Sequence, residues 1–329
     1  MPRYTLIEVE NRSSVLPSNH DQSAVSCVVF PVTDLSYPPF FLCGSNNGIL
    51  SWYHVGMDNS TPKNSKYISW SHQISLGSAI NDVALCGDNL RAAIATEDGS
   101  VRLVDASSLK TIDILKSHSD GPATCVCFTP QSNVLIVGTY AGTILMYDGR
   151  EPRKLIRRLS PAHATPVSAV ASHPDGSVFL STGIDGIARV WDSNGSLLAT
   201  IVGSENRGLG SGLFSPNGRF ALLGALADGA LCLWDLAHSG RLKWVRKYPR
   251  LNSRYWMRAS FMEGGIIVSG SEEGKLMAWD PSSTLVIAEY DSAKANGVHV
   301  PLACSATGPF VVCGGIGSAL PIVLELISE

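Results

Sequence analysis

The sequence predicts an all-β chain: a seven-bladed β-propeller, one domain over residues 1–329, whose ring is closed by its own N-terminal strand. Three observations predict it. An aromatic or apolar residue followed by Asp recurs at Tyr147-Asp148, Trp191-Asp192, Trp234-Asp235 and Trp279-Asp280, a step of about 43 to 45 residues that suits a four-stranded blade. Between these marks run short strands of alternating polarity separated by Gly- and Asp-bearing turns. The run YTLIEVE at the N-terminus reads as a strand with no partner nearby in sequence.

The unit from Ala162 to Asp192 is the fullest copy. PVSAVASH alternates apolar and polar residues, HPDG makes a turn, and SVFLSTG is a second strand. IDG turns again and IARVWD is a third strand. Pro presets φ in such a turn, Asp bonds its own backbone and Gly accepts a positive φ. His before the first strand, Asp before the last Gly and a closing Trp-Asp make this unit resemble a WD-repeat blade. In such a blade His163, Ser181, Asp185 and Trp191 form a buried hydrogen-bonded strut, because buried polar groups need partners.

Upstream, Val104-Asp105 and Tyr53-His54 hold the closing place, each a few positions after a Gly (Gly99, Gly48). The wider gap between those copies fits an insertion, GMDNSTPKNS, polar and Pro-containing and hence expected as a surface loop. Downstream, GPFVVCGGIGSALPIVLEL supplies a degenerate seventh copy. It lacks a following strand, so Tyr4–Glu10 is expected to cross over as its outer strand, which protects sheet edges. The polar strut is uneven. His118 fits it well and His20 and His72 are plausible; Asp98, Asp185 and Asp228 hold the turn position, and Asn47, Ala141 and Glu273 replace it elsewhere. Each missing hydrogen bond costs only about 0.5–1.5 kcal/mol.

Hydrophobic residues make up 45% of the chain, charged residues 16%, and the net charge is −3, which gives no general drive toward nucleic acid or membrane. The first residues lack the apolar core of a signal peptide, and no run is apolar enough to span a bilayer. Eight cysteines form no CxxC pair and sit mostly in apolar strands. Buried free thiols are expected, with no metal and no cofactor.

No catalytic constellation is legible. GLGSG and CGGIGSAL fit neither a nucleophile elbow nor a dinucleotide fingerprint, so the chain reads as a non-enzyme. One stretch, residues 241–258, is strongly basic, with Arg241, Lys243, Arg246, Lys247, Arg250, Arg254 and Arg258 interleaved with Trp244, Tyr248, Tyr255 and Trp256. Such a pattern suits single-stranded nucleic acid or an acidic peptide, or an outer strand and loop with inward aromatics. A second basic cluster, Arg150, Arg153, Lys154, Arg157 and Arg158, is expected on a solvated outer strand.

From about residue 115 to 280 the sequence is similar to the WD-repeat scaffold subunit of Set1/MLL (COMPASS-type) histone-lysine methyltransferase complexes. The runs that carry the likeness are FTPQSN, AHATPVSAV, PDGSVFLSTGIDGIARVWD, FSPNGRFALLGALADGALCLWD, and SRYWMRASF followed by IIVSGSEEG. The resemblance implies two binding faces. At the channel mouth the family grips a partner's arginine between aromatic rings over an acid. Here Glu97 matches the acid, Thr124 and Arg258 stand at the ring positions, Ile184 stands at the aromatic rim, and Tyr255 is kept. Two readings of Arg258 follow: it plugs the mouth and approaches Glu97, flanked by Tyr255 and Trp256, or it points to solvent and the channel holds water. The opposite face docks a second subunit through positions matching Asn217, Phe220, Leu233 and Phe261, with Phe220 where a Tyr is expected; the alternative is that Leu233 and Phe261 are core and Asn217 makes only the PNG turn. What the resemblance implies is a nuclear chromatin scaffold whose partners are other protein subunits, with a histone or other linear peptide as a further partner. The alternatives are a propeller adaptor of RNA processing or ubiquitin ligation, a cytoplasmic location, and direct nucleic-acid binding through 241–258.

Overall fold

The computed structural model describes residues 4–12, 24–31, 40–58, 65–116, 120–131, 133–202, 208–226, 230–236, 243–248, 257–292, 300–316 and 318–328. In chain order the strands are β1 (Tyr4–Glu8), β2 (Glu10–Asn11), β3 (Val25–Val29), β4 (Phe40–Ser45), β5 (Ile49–Asp58) and β6 (Ser65–Ser75). Next come β7 (Ile80–Leu85), β8 (Arg91–Thr96), β9 (Ser100–Asp105), β10 (Thr111–Lys116), β11 (Ala123–Phe128), β12 (Val134–Thr139), β13 (Ile144–Asp148) and β14 (Leu155–Leu159). Then follow β15 (Val167–Ser172), β16 (Val178–Gly183), β17 (Ile187–Asp192), β18 (Leu197–Val202), β19 (Leu209–Phe214), β20 (Phe220–Ala225), β21 (Leu231–Asp235) and β22 (Lys243–Tyr248). The last are β23 (Ala259–Phe261), β24 (Ile267–Gly270), β25 (Lys275–Trp279), β26 (Val286–Asp291), β27 (Val300–Thr307), β28 (Phe310–Ile316) and β29 (Ser318–Ser328). They form seven sheets, the blades of an all-β propeller.

By its contacts the chain divides into two compact units, Met1–Ile80 with Ala259–Glu329, and Asn81–Arg258. In the first unit, blade seven has the order β1-β29-β28-β27, so the N-terminal strand is the outer strand of the last sheet. Tyr4 pairs with Ser328 and Glu8 with Leu324. The chain then steps onto blade one, where Glu10 and Asn11 run parallel to Tyr67 and Ile68 as a fifth strand. The sequence reading had Glu10 in blade seven; the register ends at Glu8 and Glu10 has changed sheets. The polar insertion also departs from expectation. β5 and β6 continue into it, with Gly56 opposite Tyr67, so it is a lengthened hairpin at both ends; residues 59–64 lie outside the described residues.

The burial pattern follows strand position. Second strands are enclosed on both faces: β8, β12, β16 and β20 are buried in all but their first residue, and their sequences are runs of Ala, Val, Ile and Leu rather than alternations. Outer strands β10, β14 and β18 are largely exposed. Close blade stacking needs small residues on the second strand. A Cβ on Gly138 would collide with Cys125 and with Val167, which opens the next blade, and one on Gly314 would collide with Val25 in the same way. Bulges recur beside the aromatic of each closing pair, between Met146 and Tyr147, Val190 and Trp191, Leu233 and Trp234, and Ala278 and Trp279. A bulge strengthens local twist, which lets the outer strand coil away from the inner three.

Candidate functional site

The strut in blade four assembles from two strands, the turn between them and the segment before β15. His163 lies just ahead of β15, Ser181 on β16, Asp185 in the following turn and Trp191 on β17. The Trp191 indole N–H donates to Ser181 Oγ at 2.8 Å, and Ser181 Oγ lies 2.8 Å from His163 Nε2. His163 Nδ1 faces the Asp185 carboxylate at 3.1 Å. Asp185 also accepts from the Ala164 and Ile187 backbone N–H groups, and Arg189 leans on it at 3.3 Å. Arg189 Nη1 also lies 2.9 Å from His163 Nδ1, so that ring nitrogen stands between a carboxylate and a guanidinium. Burial pushes the imidazole below its usual 6.5, and the Arg189 charge adds to this against the pull of Asp185. The group is structural, with its ring closed off from solvent.

Blade two reaches the same end without His. Asp98 accepts from Thr96 Oγ1, Ser100 Oγ and Ser100 N at 2.7 to 2.9 Å, which holds its carboxyl at about 2 although burial opposes the shift. Blade three uses Asp120, buried beneath Arg158, whose two guanidinium nitrogens bond the carboxylate. Arg158 is exposed on its outer strand, as expected, and the pairing is an addition to that reading. Its partner lies on a turn far back in sequence, which spacing along β14 does not reveal. Arg153 likewise pairs with Asp113 at 2.9 Å, and Arg157 donates to the Asn194 carbonyl at 2.7 Å. His72, a plausible strut, instead stacks on Trp52 with ring centres 5.7 Å apart. His20, His118 and Asp228 lie outside the described residues.

The residues expected at the channel mouth are placed as follows. Glu97 is exposed and accepts from Asn81 Nδ2 at 2.9 Å. Asn81 Nδ2 also donates to the Ala123 carbonyl at 3.0 Å. Thr124 is buried, its hydroxyl donating to the Val167 carbonyl at 2.6 Å; Ile184 is half-buried. Arg258 reaches β7, where one guanidinium nitrogen bonds Asp82 Oδ1 and the other donates to the Asn81 carbonyl at 3.2 Å. The carboxylate that Arg258 meets is thus Asp82, and Glu97 joins the group only through Asn81. The reason is local: Asp82 is buried and already accepts from the Val83 and Val126 N–H groups, so it offers a fixed anion that an exposed Glu97 cannot match. Tyr255 and Trp256 lie outside the described residues, as do Arg241, Arg250 and Arg254. The segment Lys243–Tyr248 is the outer strand of blade five.

The docking residues divide. Leu233 is 3% exposed and Phe261 is 9% exposed. Both are core, which corrects their expected role as contact residues: strand alternation turns them inward. Asn217 is exposed and Phe220 half-buried, and they are positioned by one turn. The Asn217 side-chain oxygen accepts from Ser215 Oγ at 2.7 Å and from the Arg219 N–H at 3.1 Å, and Ser215 Oγ accepts from the Phe220 N–H at 3.0 Å. The Arg219 guanidinium stands 5.1 Å over the Phe220 ring and bonds Asp235 at 3.0 Å. His173, from the preceding blade, lies with Nε2 3.0 Å from the Gly218 carbonyl and its ring edge-on to Phe214. Sequence reasoning missed Arg219 and His173; a basic residue before Phe220 and a His opening HPDG were the available signals.

All eight cysteines are free, six of them buried, and burial pushes the Cys125 thiol up to about 12. Among the described residues no three His, Cys, Asp or Glu side chains converge as a metal site, and no helix is long and apolar enough to cross a membrane.

Six four-stranded sheets and one five-stranded sheet, with the strut of blade four and the closing aromatic-Asp pairs, make a seven-bladed β-propeller. Residues 109–148 and 153–192 match the family described as WD domain, G-beta repeat. Each match opens on or just before an outer strand, β10 or β14, and ends on the third strand of the next blade, so the sequence repeat is offset by one strand from the blade. The chain is similar to nuclear distribution protein nudF of Aspergillus niger, 29% identical over 171 residues that cover 51% of this chain and 32% of that protein. It is similar to eukaryotic translation initiation factor 3 subunit I of Drosophila grimshawi, 24% identical over 206 residues, 56% of this chain and 58% of that one. It also resembles the transcriptional corepressor LEUNIG_HOMOLOG of Arabidopsis thaliana, 22% identical over 255 residues, 76% of this chain and 31% of that protein. The chain spans less than two thirds of each relative, and their names point to different assemblies.

Proposed function

We propose that this protein is a non-catalytic scaffold subunit that docks another subunit on blade five through Asn217, Arg219 and Phe220. The observation that carries the reading is the exposed amide and half-buried ring at Asn217 and Phe220, held by Ser215 and capped by Arg219. A rigid turn that presents an aromatic ring beside an unspent amide nitrogen is suited to a hot spot, since it loses little entropy on binding.

The assembly we infer is a nuclear histone-lysine methyltransferase complex, supported by the FSPNGRF and SRYWMRASF runs. On this reading Arg258, engaged with Asp82, stands where that family receives a guest arginine, so this subunit is docked by blade five and not by the channel mouth.

Affinity purification of the wild type and of Phe220→Asp, with the co-purifying subunits identified, tests both parts. The expected outcome is loss of a defined set of subunits, and of histone methyl transfer in the eluate, with an unchanged melting temperature. An identical set of subunits from both proteins overturns the docking reading. A lost set without methyltransferase activity in the wild-type eluate overturns the assembly.

A further inference from the structure

Blades six and seven, both in the first unit, enclose a groove of about 360 Å³ that the proposed docking turn does not touch. Blade six contributes Glu263, Ile266, Asp280 and Ile287; blade seven contributes Tyr4 and Leu326. Ile266, Ile287, Tyr4 and Leu326 are half-buried and pack on the core below, so the floor is apolar and fixed. The walls are anionic. Glu263 is exposed on a tight 3₁₀ turn, Glu263–Gly265. Asp280 accepts from the Ser282 and Ser283 N–H groups and from the Ser282 hydroxyl, so it is ionised and fixed in place. No Lys, Arg or His lines the groove among the described residues.

Two carboxylates without a lining cation, above an apolar floor with a tyrosine ring, constrain what fits. An anion is repelled, and a purely apolar ligand leaves the charges unused. A long basic side chain satisfies both features, since its methylene stem covers apolar surface while its head meets the carboxylates, and a guanidinium can stack on an aromatic face. The volume lies in the range of ligand pockets and admits that side chain with an apolar neighbour. We propose that this groove is a second binding site, for an extended peptide segment of a partner carrying an arginine beside an apolar residue. It does not rest on the blade-five reading.

The probe is a fluorescein-tagged, end-blocked Ala-Leu-Arg-Leu-Ala peptide, with a citrulline-for-arginine control. Titrated into the full chain at low salt, the arginine peptide is expected to bind saturably. Binding should weaken about tenfold with the citrulline control and with Glu263→Lys, and should fall as salt rises. Phe220→Asp should bind the probe like wild type, which separates this site from blade five. Glu263→Gln should retain intermediate affinity with an unchanged melting temperature. No saturable binding up to about 1 mM probe, equal affinity for the citrulline peptide, or an unaffected Glu263→Lys protein would each overturn the proposal.

Discussion

His163 uses both ring nitrogens, Nε2 toward Ser181 and Nδ1 toward Asp185 and Arg189. The buried ring favours the neutral form, so its folded value lies below 6.5. The unfolded chain binds a proton first as pH falls. Stability from this group is therefore complete above pH 6.5 and declines as pH drops from there to the lowered folded value. His163→Ala leaves Ser181 and Asp185 buried without the ring, at a cost of about 2 kcal/mol. Urea denaturation at pH 7.5 and pH 5.5 checks both: the mutant should be less stable at pH 7.5, and the difference from wild type should shrink at pH 5.5. A difference that stays constant with pH removes the neutral-imidazole account. All four residues of this strut were readable from sequence because each sits at a fixed offset within one repeat. Asp82 and Arg258 were not readable as a pair, since their side chains meet across 176 residues of chain.

On β12 the neighbouring sheet, opened by Val167, packs close. That closeness depends on Gly138, whose missing side chain makes room for Cys125 and Val167. Gly138→Ala should force a shift in a close-packed core and cost about 1–3 kcal/mol, read as a lower urea midpoint with unchanged slope. A midpoint equal to wild type would mean that the sheets separate without penalty. At this scale the strands and their closing aromatic-Asp pairs were legible, because burial on both faces leaves continuous apolar runs. The lengthened hairpin of β5 and β6 was hidden by its Asn, Ser, Pro and Gly content, which describes the connection between strands and not where pairing stops. Arg158 is solvated as its outer strand implied, but its pairing with Asp120 was hidden, because the turn that carries Asp120 comes beside it only in the fold.

Across the whole chain, the N-terminal segment does more than supply a missing strand. β1 completes blade seven and β2 adds to blade one, so about eight residues join two sheets that are far apart in sequence. The junction is reinforced where Val9 donates its N–H to the Val323 carbonyl at 2.8 Å and Arg12 donates to the Ile68 carbonyl at 2.8 Å. Between the same sheets Lys66 pairs with Glu325. Without this segment β29 would expose an unpaired edge, a template for association with other chains. Leu6 carries the packing: it is 5% exposed and sits in the cluster formed by Met262, Val268, Val311 and Leu324. Leu6→Asp places a carboxylate in that apolar cluster, which should cost several kcal/mol. The strand should detach while the other sheets persist, because they hold their own hydrogen bonds. Hydrogen exchange then gives the reading: amides of Leu324 and Leu326 should lose protection, those of Leu180 and Leu222 should keep it, and the variant should self-associate with rising concentration. Uniform loss of protection across all blades would mean that closure by β1 is required for every sheet, and full retention would mean that Leu6 does not hold the strand in place.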